Sequence, residues 1–365
     1  VLGKWYRAGD PAAQMSGEPS GVKAWIGQAD VSMGRYRQWL KMPFEDWGYG
    51  EGASPNCGVI LYAHRLYVAE GFAQDQDAGV DRLEADLGAW RAVLGHAKTL
   101  PIKMLATSAM NDDIAVVSGL LLRPDLEERL IGRLAKMARP LDQVEQSMRW
   151  PMQSQFVQAT KTIDQALKHD KGETRPFYVS VAAAMPLPKQ RRFNDYAEYY
   201  EAAGKVASEG QFSHIPKRGQ FVRTPADGFT DYLVNPIEHI IGLEPLPAWE
   251  TYGGLVLETD ARLRLAGLQA WLRRTSPEQD LLTRVAKAGQ AFYDPFTGLP
   301  MLVNLKRGLF YSVGRDLKDS DASAPADVVA SIPLRRSRRP STAAYPVSAC
   351  RMVSGSLIAV PNSRL

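Results

Sequence analysis

Cysteine is nearly missing from this chain, whose 365 residues include only Cys57 and Cys350. A disulfide framework needs several pairs, so the fold must rest on a hydrophobic core, and neither thiol sits in a C-x-x-C arrangement. Long apolar runs are missing too. The longest, Ile114–Leu122, is broken by Ser118 and Gly119 and reaches about half of the roughly 20 residues that span a bilayer. Histidine is sparse: His64, His96, His169, His214 and His239 are scattered, with no H-x-x-x-H or H-E pair, which excludes the common local zinc signatures. No phosphate-binding loop, dinucleotide fingerprint or G-x-S-x-G elbow occurs, and the S-x-x-K match at Ser20–Lys23 lacks its companion motifs. Cys57 lies seven residues before His64, a spacing that establishes neither a base within reach nor an oxyanion site. Paired carboxylates such as Asp112-Asp113 and Glu127-Glu128 read as solvated helix faces or caps. No enzyme signature is left standing.

Charge of one sign is lacking except at one end. The formal net charge of +4 comes from 44 basic and 40 acidic residues, but residues 335–365 hold six arginines and no acid. The rest of the chain is balanced, which excludes the broad positive field of a nucleic-acid binder and points to protein partners. The basic tail 335–365 is expected to be disordered. The chain opens on Val1 rather than Met, so the expectation is that an upstream signal or anchor has been lost, and that any membrane association runs through it.

With 45% apolar and 23% charged residues, what remains is an ordinary globular composition. Residues 1–55 are rich in Trp, Tyr, Gly and Pro without sustained period and read as irregular, with one short helix at Val31–Leu40. Their aromatics (Trp5, Tyr6, Trp25, Trp39, Trp47 and Tyr49) either pack over one end of a core or line a groove. Residues 56–255 read as a helical body. Leu83, Leu87, Trp90 and Leu94 recur at helical spacing, as do Leu126, Leu130, Leu134 and Met137. Ala63–Ala92 reads as an antiparallel helical pair. Gln153–His169 reads as a further helix, Phe177–Ala184 as a strand or buried turn, and 185–235 as a long irregular excursion. A last helix is predicted at Thr259–Arg273 through Leu263, Leu265, Leu268 and Leu272, with a domain boundary near Leu255.

The one specific motif follows. In Asp294-Pro295-Phe296-Thr297-Gly298-Leu299-Pro300, Asp accepts bonds from the backbone ahead, Pro presets the second turn position and Gly298 permits positive φ. Met301–Leu305 and Leu309–Val313 then read as a hairpin that needs the 259–273 helix as a partner surface. The ordered set of helix, D-P-F-T-G-x-P, hairpin, F-Y-S-V-G-x-D and acidic loop resembles the C-terminal module of type II secretion major pseudopilins, over residues 258–334. More broadly, 235–334 looks like bacterial envelope proteins that join a helical body to such a module.

The resemblance implies an α+β fold, a mostly helical body followed by a pseudopilin-like module at 256–334, in a periplasmic or envelope-associated protein. It also implies calcium on the loop after the second strand, with Ser312, Asp316, Asp319 and Asp327 as ligands and Asp321 as alternate. The sequence departs from the pattern at Leu317, where a glycine is usual, and at Ser320-Asp321-Ala322-Ser323, which replaces a glycine-rich stretch. The function expected is a non-enzymatic envelope component that assembles with or binds a partner. The alternatives are an envelope hydrolase with a site between body and module, and a helical adaptor using the 63–92 hairpin.

Overall fold

A computed structural model describes residues 2–49, 56–168, 194, 197–205, 249–275 and 279–333. The N-terminal stretch is where sequence and structure part first. Instead of an irregular segment with one helix, it holds α1 (Leu2–Trp5), α2 (Pro11–Gly17), α3 (Pro19–Gln28) and α4 (Asp30–Trp39). Prolines open α2 and α3, and the Asp10 side chain caps Ala13 N at 3.0 Å. Each helix buries only one to three side chains, such as Met15, Val22, Met33 and Tyr36. Pieces this short leave no period for a sequence to show.

The body is organised by a helical hairpin. α5 (Cys57–Gln74) and α6 (Gln76–His96) are separated by Asp75 alone, whose side chain accepts from Ala78 N at 2.7 Å. The helices run antiparallel: Arg82 bonds the Tyr67 carbonyl and His64 meets Asp86. Near the turn they nearly touch, and a Cβ on Gly79 would fall inside the Phe72 ring. α7 (Leu100–Leu122) crosses behind them. By length and apolarity this helix would pass for a membrane span, but 67% of its most apolar window is buried in the core. α8 (Glu128–Met137), the one-turn α9 (Gln143–Gln146) and α10 (Arg149–Lys168) follow, with Leu126, Leu130, Leu134 and Met137 buried as their spacing predicts.

α11 (Trp249–Arg274) is longer than the predicted 259–273 helix, so the boundary placed near Leu255 falls inside it. Its two faces explain why. Trp249, Val256, Leu257, Leu263 and Ala266 join the core of the helical body, while Ala261, Leu265, Leu268 and Leu272 form a second core with Met301, Phe310 and Val328. One helix serves both layers.

After α12 (Leu281–Lys287) come β1 (Leu302–Asn304), β2 (Leu309–Ser312) and β3 (Val328–Ser331), an antiparallel sheet in the order β1-β2-β3. Val303, Phe310 and Ala330 lie opposite one another across it. The hairpin forms as the sequence predicts, and β3 completes the sheet from a segment not foreseen as a strand. The protein is therefore α+β, mostly helical with one small sheet. The turn at Asp294 also forms as read: Asp294 Oδ1 accepts from Phe296 N at 2.9 Å, and Gly298 has φ +69°.

Of the expected excursion over 185–235, residues 197–205 are helical, and Tyr199, Tyr200 and Ala203 are buried. Phe177–Ala184 and the tail 335–365 lie outside the described residues.

Candidate functional site

Three neighbouring helices carry titratable side chains to one level of the core. α5 contributes His64, α6 contributes Asp86, and α7 contributes Asp112 and Asp113; His64, Asp86 and Asp113 have no solvent exposure. Asp113 falls on the face of α7 that also buries Met110, Val116, Val117 and Leu120, so the reading of Asp112-Asp113 as a solvated pair is corrected. Asp112 is only partly covered, and its Oδ2 accepts from Arg65 Nε at 2.6 Å.

The imidazole is held from one side. His64 Nδ1 lies 2.6 Å from Asp86 Oδ2, and Asp86 Oδ1 accepts from Tyr36 Oη at 2.6 Å. Tyr36 Oη in turn accepts from Trp90 Nε1 at 2.9 Å. This chain of bonds holds a proton on Nδ1 and ties α4 to the α5–α6 hairpin. Among the described residues, His64 Nε2 and both oxygens of Asp113 have no hydrogen-bond partner. The nearest acid to Nε2 outside the cluster is Asp112, at 3.8 Å. One donor atom each from His64, Asp86 and Asp113 lies within 4.8 Å of the others.

Charge in this pit is displaced from its ordinary state. Burial works to lower the His64 pKa, but the carboxylates of Asp86 and Asp113 outweigh it and push it up to about 10. Burial and the like charge of Asp86 raise Asp113 well above the usual carboxylate range. For Asp112, burial is outweighed by the neighbouring His64 and Arg65, and its pKa is lowered. Burial and then Asp86 raise Tyr36 far enough to keep its proton on the oxygen.

Directly beside this pit opens a cavity of about 430 Å³, within the range that holds small organic molecules. Tyr36, Trp39, Phe44, Ile60, Trp90 and Ile102 are among its walls, and Arg35 is the one charged side chain lining it among the described residues. Trp39 stacks at 5.1 Å on Trp90 and at 5.2 Å on Tyr36. The N-terminal aromatics therefore divide. Trp5 and Tyr6 are buried packing, Trp39 lines the cavity, and Trp47 is 88% exposed.

The residues singled out for calcium sit at the other end of the molecule. Ser312 is buried, and its hydroxyl donates to Asp294 Oδ1 at 2.9 Å. Asp316 accepts from Lys318 N, and Asp319 accepts from Tyr311 Oη at 2.9 Å. Asp327 Oδ2 accepts from Ala324 N, while its Oδ1 is buried without a partner. No three of these acids converge as the core cluster does. Leu317, Asp321 and Ala322 have φ of +56°, +55° and +59°, so the chain keeps the left-handed backbone at the positions where the resembling modules carry glycine. As for an adaptor stripe on 63–92, no large apolar side chain there is exposed among the described residues; Val59 and Tyr62 of α5 are.

His64, Asp86 and Asp113 escaped the sequence reading because they belong to three different helices. Comparison with family models, curated proteins and solved structures yields no match for this chain.

Proposed function

We propose that the chain is a non-enzymatic binding protein of the bacterial envelope that holds a small amphipathic molecule in the Tyr36–Trp39–Trp90 cavity. The observation that carries this is a separation of roles. The His64, Asp86 and Asp113 side chains are sealed in the core, while the accessible cavity presents mostly aromatic and aliphatic walls. Hydrolysis needs its acid, base or nucleophile within reach of the substrate; retention of an apolar body needs only the walls. Arg35 on the rim favours a ligand with an anionic end. The envelope assignment is supported by the resemblance over 258–334 and by the order of helix, turn and hairpin there.

A fluorescence titration with 1-anilinonaphthalene-8-sulfonate, an aromatic body with an anionic group, tests the cavity. Trp39→Ala and the space-filling Val59→Trp should each weaken uptake about tenfold or more, a change of ~1.4 kcal/mol. Trp47→Ala, away from the cavity, should leave uptake unchanged. Equal binding by all three variants would overturn the proposal.

One observation also favours a second role for the module, calcium on the 312–327 loop. Asp327 Oδ1 is a buried acceptor without a hydrogen-bond partner among the described residues, on a loop in which Leu317, Asp321 and Ala322 take left-handed backbone. Calorimetry should show one weak calcium site that Asp327→Asn removes; no heat at millimolar calcium would refute it.

A further inference from the structure

The geometry points to a second site, distinct from the cavity. We infer that His64, Asp86 and Asp113 bind one divalent transition-metal ion of the zinc class, with His64 Nε2 and Asp113 as donors and Asp86 fixing the imidazole. Three buried atoms, His64 Nε2 and the two oxygens of Asp113, lack a hydrogen-bond partner among the described residues, and leaving such groups bare is costly. They belong to a cluster whose donor atoms fall within 4.8 Å of one another, a little beyond the ~4.2 Å that two ligands ~2.1 Å from a shared ion can span, so a small side-chain movement closes the site on an ion. Asp86 on Nδ1 is the arrangement that turns a histidine's other nitrogen toward a metal, the proton staying on Nδ1. Asp112 Oδ2, at 3.8 Å from Nε2, is close enough to serve as a further carboxylate.

Charge balance selects the ion. Arg65 neutralises Asp112, so the charges that must cancel in the pit are those of His64, Asp86 and Asp113. A neutral imidazole and two carboxylates carry two negative charges, which one divalent cation cancels. An ion there is a direct partner for Nε2, whose nearest acceptor without it is Asp112 at 3.8 Å. A nitrogen donor among carboxylates suits zinc, iron or manganese, whereas calcium and magnesium prefer oxygen alone.

The test is zinc calorimetry on the whole chain, stripped with chelator and refolded, at pH 7 in two buffers of different protonation enthalpy. One zinc per chain should bind with release of protons, read from the difference between the two buffers, and calcium should not displace it. Asp113→Asn and His64→Gln should each weaken binding about 100-fold or more, while Glu84→Gln on the outer face of α6 should not. Cobalt added to the unaltered chain should give visible ligand-field bands without a thiolate charge-transfer band, a readout independent of whether the variants fold. No stoichiometric zinc or cobalt on the unaltered chain, or undiminished zinc on folded Asp113→Asn, would overturn the site. Uptake of the naphthalene probe is read separately, so failure here leaves the cavity proposal standing, and the reverse.

Discussion

At the scale of single residues, Lys103 shows how burial becomes a measurable dependence on pH. Its ammonium sits in the core and donates to the carbonyls of Leu94 and Glu145 at 2.6 and 2.7 Å, which are free because they end α6 and α9. Burial lowers its pKa from 10.5 to about 7, against the pull of Glu145 and Asp142. Between those two values the unfolded chain holds a proton that the folded chain has lost, so stability rises with pH across that window and is flat in this residue below it. The slope contributed is at most about 1.4 kcal/mol per pH unit. Lys103→Met should remove the rise and, by leaving two carbonyls bare, cost about 1–3 kcal/mol at pH 7. Urea unfolding at pH 7, 8 and 9 checks both, and equal slopes for the two proteins would reject the account of Lys103. Leu317 offers the opposite sign. It is half exposed and held at φ +56°, so Leu317→Gly should raise stability by about 1 kcal/mol in the same assay.

At this scale the sequence held more than its motifs showed. His64 and Asp86 are each eleven residues from Asp75, so a hairpin turning at Asp75 sets them face to face. Asp113 continues the apolar face of α7. Both facts become visible only once the turn and the helix phase are known, and a lone His or Asp in a helical pattern carries no such mark.

Elements succeed or fail in the sequence according to how much of their partner surface is local. The D-P-F-T-G turn and the hairpin after it are set by residues a few positions apart, and they form as predicted. β3 and the two-sided burial of α11 depend on contacts across the fold, and neither left a period to read. The short N-terminal helices are fixed by caps, prolines and docking onto α5. Two substitutions probe these elements. Asp86→Ala removes the carboxylate between His64 and Tyr36 and leaves a buried imidazolium, which should cost about 3–5 kcal/mol and loosen α4, seen as faster amide exchange over 30–39. In the sheet module, Gly314 has φ +68°, and a Cβ there would collide with the Ala326 carbonyl. Gly314→Ala should separate β3 from β2, lowering the thermal midpoint by several degrees; an unchanged midpoint would mean the loop does not pass where the fold puts it.

For the whole molecule, residues 1–334 cluster as one compact unit, with α11 contributing to both cores. Leu263→Ala on the body face and Leu268→Ala on the sheet face should therefore shift one common unfolding transition, each by about 2–5 kcal/mol. Two separable transitions would support a boundary near Leu255. The same shared architecture shapes the functional claim, since α4 and the α5–α6 hairpin seal the titratable pit while leaving an apolar cavity open next to it. Indole proton resonances test that claim residue by residue, because the Trp90 Nε1 proton rests on the Tyr36 hydroxyl at the cavity wall. On addition of the naphthalene sulfonate, the Trp90 and Trp39 indole signals should move together and saturate, while those of buried Trp249 and exposed Trp47 stay in place. Shifts confined to Trp47 and Trp150, with Trp90 unmoved, would contradict binding in the cavity.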